Sequence, residues 1–277
     1  MINMIRKYIR WAKMLLGISQ FHQKQGVPYN FSKDSELYPN DLSSKLSWQG
    51  FKDSTGVPRN KLSDGKYVYF PIAIAQKAIA LYENNNVEEF LLLADWFVNS
   101  VDRNGGYDCW SSSNKDTITN YSSMAQGQAL SVLYRAYKET NEEKYLSTAN
   151  LVYSCLMNEH NNISIHTKNG IVFDETPKKN RAIILNGWIF TLWGIFDYEK
   201  MVTVENKDNS FASLSEFLAE ELDNFNCGYW SLYSDDAYIS SPFYHNLHIA
   251  QLQSMYILTG IDKYKNHAEL YISYNNN

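Results

Sequence analysis

Apolar side chains recur at helical spacing over most of the chain from Tyr67 onward. Val87, Phe90, Leu91, Ala94, Phe97, Val98 and Val101 fall three and four apart and make one continuous stripe. Tyr145, Leu146, Ala149, Val152 and Leu156 repeat that spacing. Asn141 ahead of them reads as an N-cap, with Glu142 and Glu143 in the first turn. Similar patterns predict helices over about 70–83, 123–139, 183–199, 210–223, 245–258 and 261–274. Between them lie Gly-containing aromatic links, Gly105-Gly-Tyr-Asp-Cys-Trp110 and Cys227-Gly-Tyr-Trp-Ser-Leu-Tyr233, and strand-like pieces at Ile163-Ser-Ile165 and Gly170-Ile-Val-Phe173. The expected class is mainly α: antiparallel helical hairpins forming an α/α toroid, closed or incomplete, with short β pieces in the loops. A conventional helical bundle is the alternative.

The N-terminal part reads differently. Residues 18 to about 65 are broken by Tyr38-Pro-Asn-Asp41, Gly50, Gly56-Val-Pro58 and Ser63-Asp-Gly65, as in a long arm with short extended pieces. Before it, Arg6, Lys7, Arg10 and Lys13 interrupt every apolar run among Ile2, Ile5, Ile9, Leu15 and Leu16. This is neither a membrane span nor a signal peptide. A helix packed on the domain or on a partner is the first reading of residues 1–17, and peripheral contact with a membrane surface the second. The expected division is an N-terminal helix and arm over 1–65 and a helical domain over 66–277.

At 277 residues one large domain is expected over two. A net charge of -5 argues against nucleic-acid binding, which calls for a basic face. Aromatics at 15 %, including 21 Tyr and 7 Trp, suit a groove that stacks on sugar rings, although most must fill the core. Cys109, Cys155 and Cys227 are odd in number and scattered, so they imply no disulfide framework or metal spacing and fit a reducing, cytoplasmic location. A homo-oligomer is compatible with all of this.

Chemistry concentrates in a few segments. Ser241-Pro-Phe-Tyr-His-Asn-Leu-His248 sets Tyr244 two residues after a proline, on an expected exposed lip, with His245 and His248 following. Phe173-Asp-Glu-Thr-Pro177 precedes Leu185-Asn-Gly187, and Tyr121-Ser-Ser-Met-Ala-Gln-Gly-Gln-Ala129 opens a helix that Ser122 or Ser123 can cap. Taken alone, Asp174 and Glu175 read as solvated loop charges or a helix cap, and Tyr244 as a rim aromatic. His245 and His248 could resemble a metal pair, but no third ligand accompanies them at suitable spacing, so no metal is expected.

In order and wording these segments resemble the C-terminal catalytic domain of the D-glucuronyl C5-epimerases, which convert glucuronate to iduronate within heparosan or heparan sulfate. Tyr67-Val-Tyr-Phe-Pro-Ile-Ala-Ile-Ala-Gln76 and Gly56-Val-Pro58 extend the resemblance over roughly residues 55 to 260. The resemblance implies that Glu175 and Tyr244 are the principal acid/base pair and that Tyr233 is a third catalytic tyrosine, with Tyr229 competing for that role. It also implies substrate contacts from Tyr121, Asn186, His245 and His248. Two departures stand out. Thr176 replaces a family tyrosine, and no arginine follows Tyr233, leaving that task to Arg59 or Arg181. The family's preceding β-rich domain has no counterpart of sufficient length. The resemblance thus implies C5 inversion in a glucuronate-containing polysaccharide without any cofactor. A uronate lyase and an inactive glycan-binding module are the rivals.

Overall fold

The computed structural model describes residues 2–18 and 25–276; arm residues 19–24 lie outside the described residues. The helices are α1 (Ile2–Leu15), α2 (Pro71–Glu83), α3 (Val87–Ser100), α4 (Ser123–Thr140), α5 (Glu143–Met157), α6 (Leu185–Glu199), α7 (Phe211–Glu221), α8 (Pro242–Thr259) and α9 (Asp262–Tyr274). Three antiparallel strand pairs sit in the links: β1 (Asn60–Lys61) with β2 (Tyr67–Val68), β3 (Ser164–His166) with β4 (Ile171–Phe173), and β5 (Leu232–Ser234) with β6 (Tyr238–Ile239). The chain is mainly α with hairpin-linked helices, consistent with the toroid-like class read from the sequence.

The chain forms two compact units, a central one of Leu42–Leu218 and a terminal one of Met1–Asp41 with Ala219–Asn277. In the central unit α4 packs against α6, α5 and α2. Every residue of α4 from Ser123 to Ala136 is buried. Gly127 lets α6 approach: a β-carbon there would lie 2.5 Å from Thr191 Cα. Gly194 answers from the other helix, where an added β-carbon would stand 2.0 Å from the Gly127 carbonyl oxygen. One ion pair spans the same interface. Arg135 Nη1 lies 2.7 Å from Asp197 Oδ2, with both side chains almost fully buried.

The hairpin turns are short because they use the left-handed backbone region. Asn85 between α2 and α3 (φ 58°), Asn141 between α4 and α5 (φ 56°) and Gly260 between α8 and α9 (φ 73°) reverse the chain within a few residues. Asparagine and glycine are the residues that enter this region at least cost. Asn141 is therefore the C-cap of α4, not the expected N-cap of α5. Glu142 takes that position and makes no side-chain cap bond. Ser122 does cap α4 through the Ala125 amide at 3.4 Å, and Asn86 caps α3 through Glu89.

Candidate active site

Leaving β4, the chain passes Asp174 and Glu175 before it enters α6. Backbone pairing holds this loop. The Asp174 amide donates to the Ile163 carbonyl at 2.9 Å, and the Asp174 carbonyl accepts from the Ser123 amide, at the start of α4, at 3.2 Å. Asp174 is fully buried; its Oδ1 accepts from the Thr176 amide at 3.0 Å, and Arg181 Nη1 lies 3.5 Å from its Oδ2. From the far side, Trp110 Nε1 donates to the Glu175 carbonyl at 3.2 Å.

With its backbone pinned, the Glu175 side chain lies on the first turn of α6. A β-carbon on Gly187 would fall 2.3 Å from Glu175 Oε2 and 2.8 Å from its Cβ. The glutamate occupies space that exists only because residue 187 is glycine. Oε2 is buried and has no hydrogen-bond partner among the described residues. Burial, and after it the Asp174 charge, pushes the Glu175 carboxyl up to about 7. The N-terminus of α6, with no side-chain cap from Ile184, favours an anion at the same place. A group so balanced can give or take a proton near neutrality. Asn186 is buried in that same turn.

The other expected contacts of the central unit are held with different degrees of freedom. Arg181 is committed to Asp174 and also reaches the Asn162 carbonyl and Oδ1 at 3.4 Å. The Tyr121 hydroxyl donates to Asp102 Oδ2 at 2.5 Å and accepts from Asn104 Nδ2 at 3.3 Å. Its ring covers Gly106, where a β-carbon would clash at 2.2 Å. Gln126, buried on α4, fixes the same loop by accepting from the Tyr107 amide and donating to the Gly105 carbonyl at 2.7 Å. Arg59 lines a cavity of about 330 Å³ with Tyr67, Tyr69, Trp96, Asp108 and Ser111. Its guanidinium donates to the Tyr67 carbonyl and lies 5.1 Å from the Tyr69 ring.

In the terminal unit α8 begins at Pro242, earlier than predicted, with Ser241 Oγ accepting from the Tyr244 amide at 3.4 Å. Tyr244 is thus half-buried in the first helical turn instead of standing on an exposed lip. Tyr233 meets it edge to face, with ring centroids 4.7 Å apart. Tyr229 is 64 % exposed in the preceding turn.

His245 and His248 are fully buried one helical turn apart. The Ser231 amide donates to His245 Nδ1 at 3.2 Å, so Nε2 carries the proton and donates to the Tyr271 carbonyl at 3.0 Å. The ring stacks on Trp230 at 3.7 Å. His248 Nδ1 meets Ser231 Oγ at 3.1 Å, while its buried Nε2 has no partner among the described residues. Burial holds His245 down to about 4, and burial followed by the neighbouring His245 holds His248 down to about 3. Both are neutral at physiological pH. His245 has neither nitrogen left for a metal.

Residues 106–273 match the family described as D-glucuronyl C5-epimerase C-terminus, more than half of the 277-residue chain. The chain belongs to this family. The epimerase-like stretch contains Glu175, Tyr233, Tyr244 and both histidines, and leaves Arg59 outside it. A D-glucuronyl C5-epimerase of Caenorhabditis elegans is 28 % identical over 164 residues, 54 % of this chain and 26 % of that protein. The chain therefore spans about a quarter of that relative. Among solved structures, a cellobiose 2-epimerase from Spirochaeta thermophila matches with a TM-score of 0.48 at 14 % identity, over 73 % of this chain and 55 % of its own.

The structure also supplies parts that the epimerase-like motifs did not announce. Asp102 and Asn104 hold Tyr121, Trp110 pins the Glu175 backbone, and Ser231 joins the two histidines. The cue for the first pair was the Asp102-Arg-Asn-Gly-Gly106 turn; the others carry no local signal.

Proposed function

We propose that this protein inverts C5 of D-glucuronate residues within a polysaccharide, with Glu175 and Tyr244 as the proton-transferring groups. The observation that carries the reading is the Glu175 carboxyl. It is buried, without a partner at Oε2 among the described residues, and raised to about 7. The C5 proton is α to a carboxylate, so its removal gives an enediolate, and inversion requires a donor on the opposite face. A carboxylate poised near neutrality suits one half of that exchange, since general acid–base catalysis works best near the operating pH. A phenol suits the other half, and the edge-on Tyr233 ring fixes the Tyr244 ring. Asn186 and Arg59 are the donors proposed for the developing charge. The chemistry draws on no cofactor. Thr176 in place of a phenol favours a capsule or exopolysaccharide glucuronan over heparosan as the preferred polymer.

Incubation with glucuronate polymers in deuterated water tests the reading by NMR at C5. Deuterium is expected to enter with the wild-type protein and to be lost with Glu175→Gln and with Tyr244→Phe, both variants remaining folded. An unsaturated, ultraviolet-absorbing product with shortened chains would instead assign β-elimination. No exchange with any glucuronate polymer would overturn the proposal.

A further inference from the structure

Helix α1 has three distinct faces. At 100° per residue, Ile5, Tyr8, Ile9 and Ala12 fall on one side, with Leu16 in the turn that follows the helix, Arg6, Arg10 and Lys13 on the next, and Lys7, Trp11 and Met14 on the third. Among the described residues only the third face is half-buried. It holds the helix to its unit, with Lys7 Nζ 4.6 Å over the Trp11 ring and 4.4 Å over the Tyr238 ring, and α1 packed on α8. The apolar face is left open. Ile5 is 53 %, Ile9 52 % and Leu16 71 % exposed.

We infer that this open face is a membrane-surface anchor selective for anionic lipid. Charge settles the occupant. The first acidic residue in the sequence is Asp34, so the basic strip beside the apolar one is not neutralised along its own segment, although the whole chain carries a net charge of -5. An apolar strip flanked by arginine and lysine matches a bilayer interface, where the apolar side sinks to the acyl boundary and the cations meet phosphate. A second copy of this chain would bring an apolar strip of its own, but its equally basic flank would offer these cations no counter-charge. No described helix is long and apolar enough to cross a membrane, so attachment here is lateral. The anchor also reaches the tyrosines of its unit: Tyr238 contacts Tyr233 at 6.1 Å, and Tyr233 contacts Tyr244. Polymer made or held at a membrane would then meet the epimerase at that surface.

Sedimentation of the full chain with phosphatidylcholine vesicles, with and without phosphatidylglycerol, tests this. Binding is expected only to the anionic vesicles and is expected to fall with salt. Ile5→Asp/Ile9→Asp and Arg6→Glu/Arg10→Glu are each expected to cut binding at least about tenfold, with unchanged melting because these side chains point to solvent. Absence of binding to anionic vesicles, or binding unchanged in both variants, would refute the anchor. Self-association abolished by Ile5→Asp/Ile9→Asp, without vesicle binding, would assign the face to a second copy instead.

Discussion

Under the proposed function, Glu175 couples activity to stability. Its folded pKa of about 7 lies above the ordinary value of 4.5, so its favourable contribution is complete below about pH 4.5 and is lost as pH rises through 7. Ionising it in place costs on the order of 3 kcal/mol at alkaline pH. Glu175→Gln removes that cost while keeping the shape. The variant is expected to lose at least about a hundredfold in C5 exchange, yet to melt higher than wild type at pH 8, with the gap closing at pH 5. Calorimetry at both pH values checks it, and a wild type that melts higher at pH 8 would contradict the assignment. If Glu175 is the base, exchange by the wild type should rise with an ascending limb near pH 7. At this scale the motif named the glutamate, but its environment was not legible. Trp110 and Gly187 reach it through the fold, and periodicity carries no record of such pairs.

Among the elements, helix positions were legible, and most helix ends to within one or two residues. Apolar spacing placed α3, α5 and the later helices. Ser122 caps α4 as expected, but the cap of α5 went elsewhere because a cap depends on backbone conformation: Asn141 adopts the left-handed region that ends α4, and so cannot also open α5. Pro242 opened α8 where the histidine motif alone suggested a later start, which moved Tyr244 into a helical turn. The α4–α6 crossing is the element-scale feature that bears most of the packing. Gly194→Ala must push a β-carbon against the Gly127 carbonyl at 2.0 Å, which is backbone and cannot yield. Overpacking there is expected to cost about 3 kcal/mol or more. A denaturant midpoint within experimental error of wild type would show that the helices can separate freely.

Across the whole molecule, the two units carry titrating groups of opposite sign. His245 and His248 are held neutral at about 4 and about 3, below the ordinary 6.5. The unfolded chain therefore binds more protons, and the terminal unit loses stability as pH falls below 6.5. In the central unit Glu175, and Glu199 raised by burial, act the other way and weaken the fold as pH rises. Hydrogen exchange corrected for intrinsic rates should show protection of α8 and α9 decreasing from pH 7 to 5, while that of α4 and α6 increases. Parallel changes in both units would contradict these burial assignments. The sequence made the helical class legible through its stripes. It did not show a unit assembled from both ends of the chain, because that division rests on contacts such as Ser254 Oγ to the Pro39 carbonyl at 2.5 Å, far apart in number.

The glycine at 187 has a use beyond this protein. Its missing side chain is the mould in which the Glu175 carboxyl sits, so any larger residue there evicts the group while leaving the glutamate in the sequence. A relative that keeps the acid but fills the mould would retain the glutamate in its sequence with no place to hold it, and under the proposed function would not exchange C5 protons. Under the proposed function, sorting working enzymes from decoys therefore turns on a position with no functional group at all.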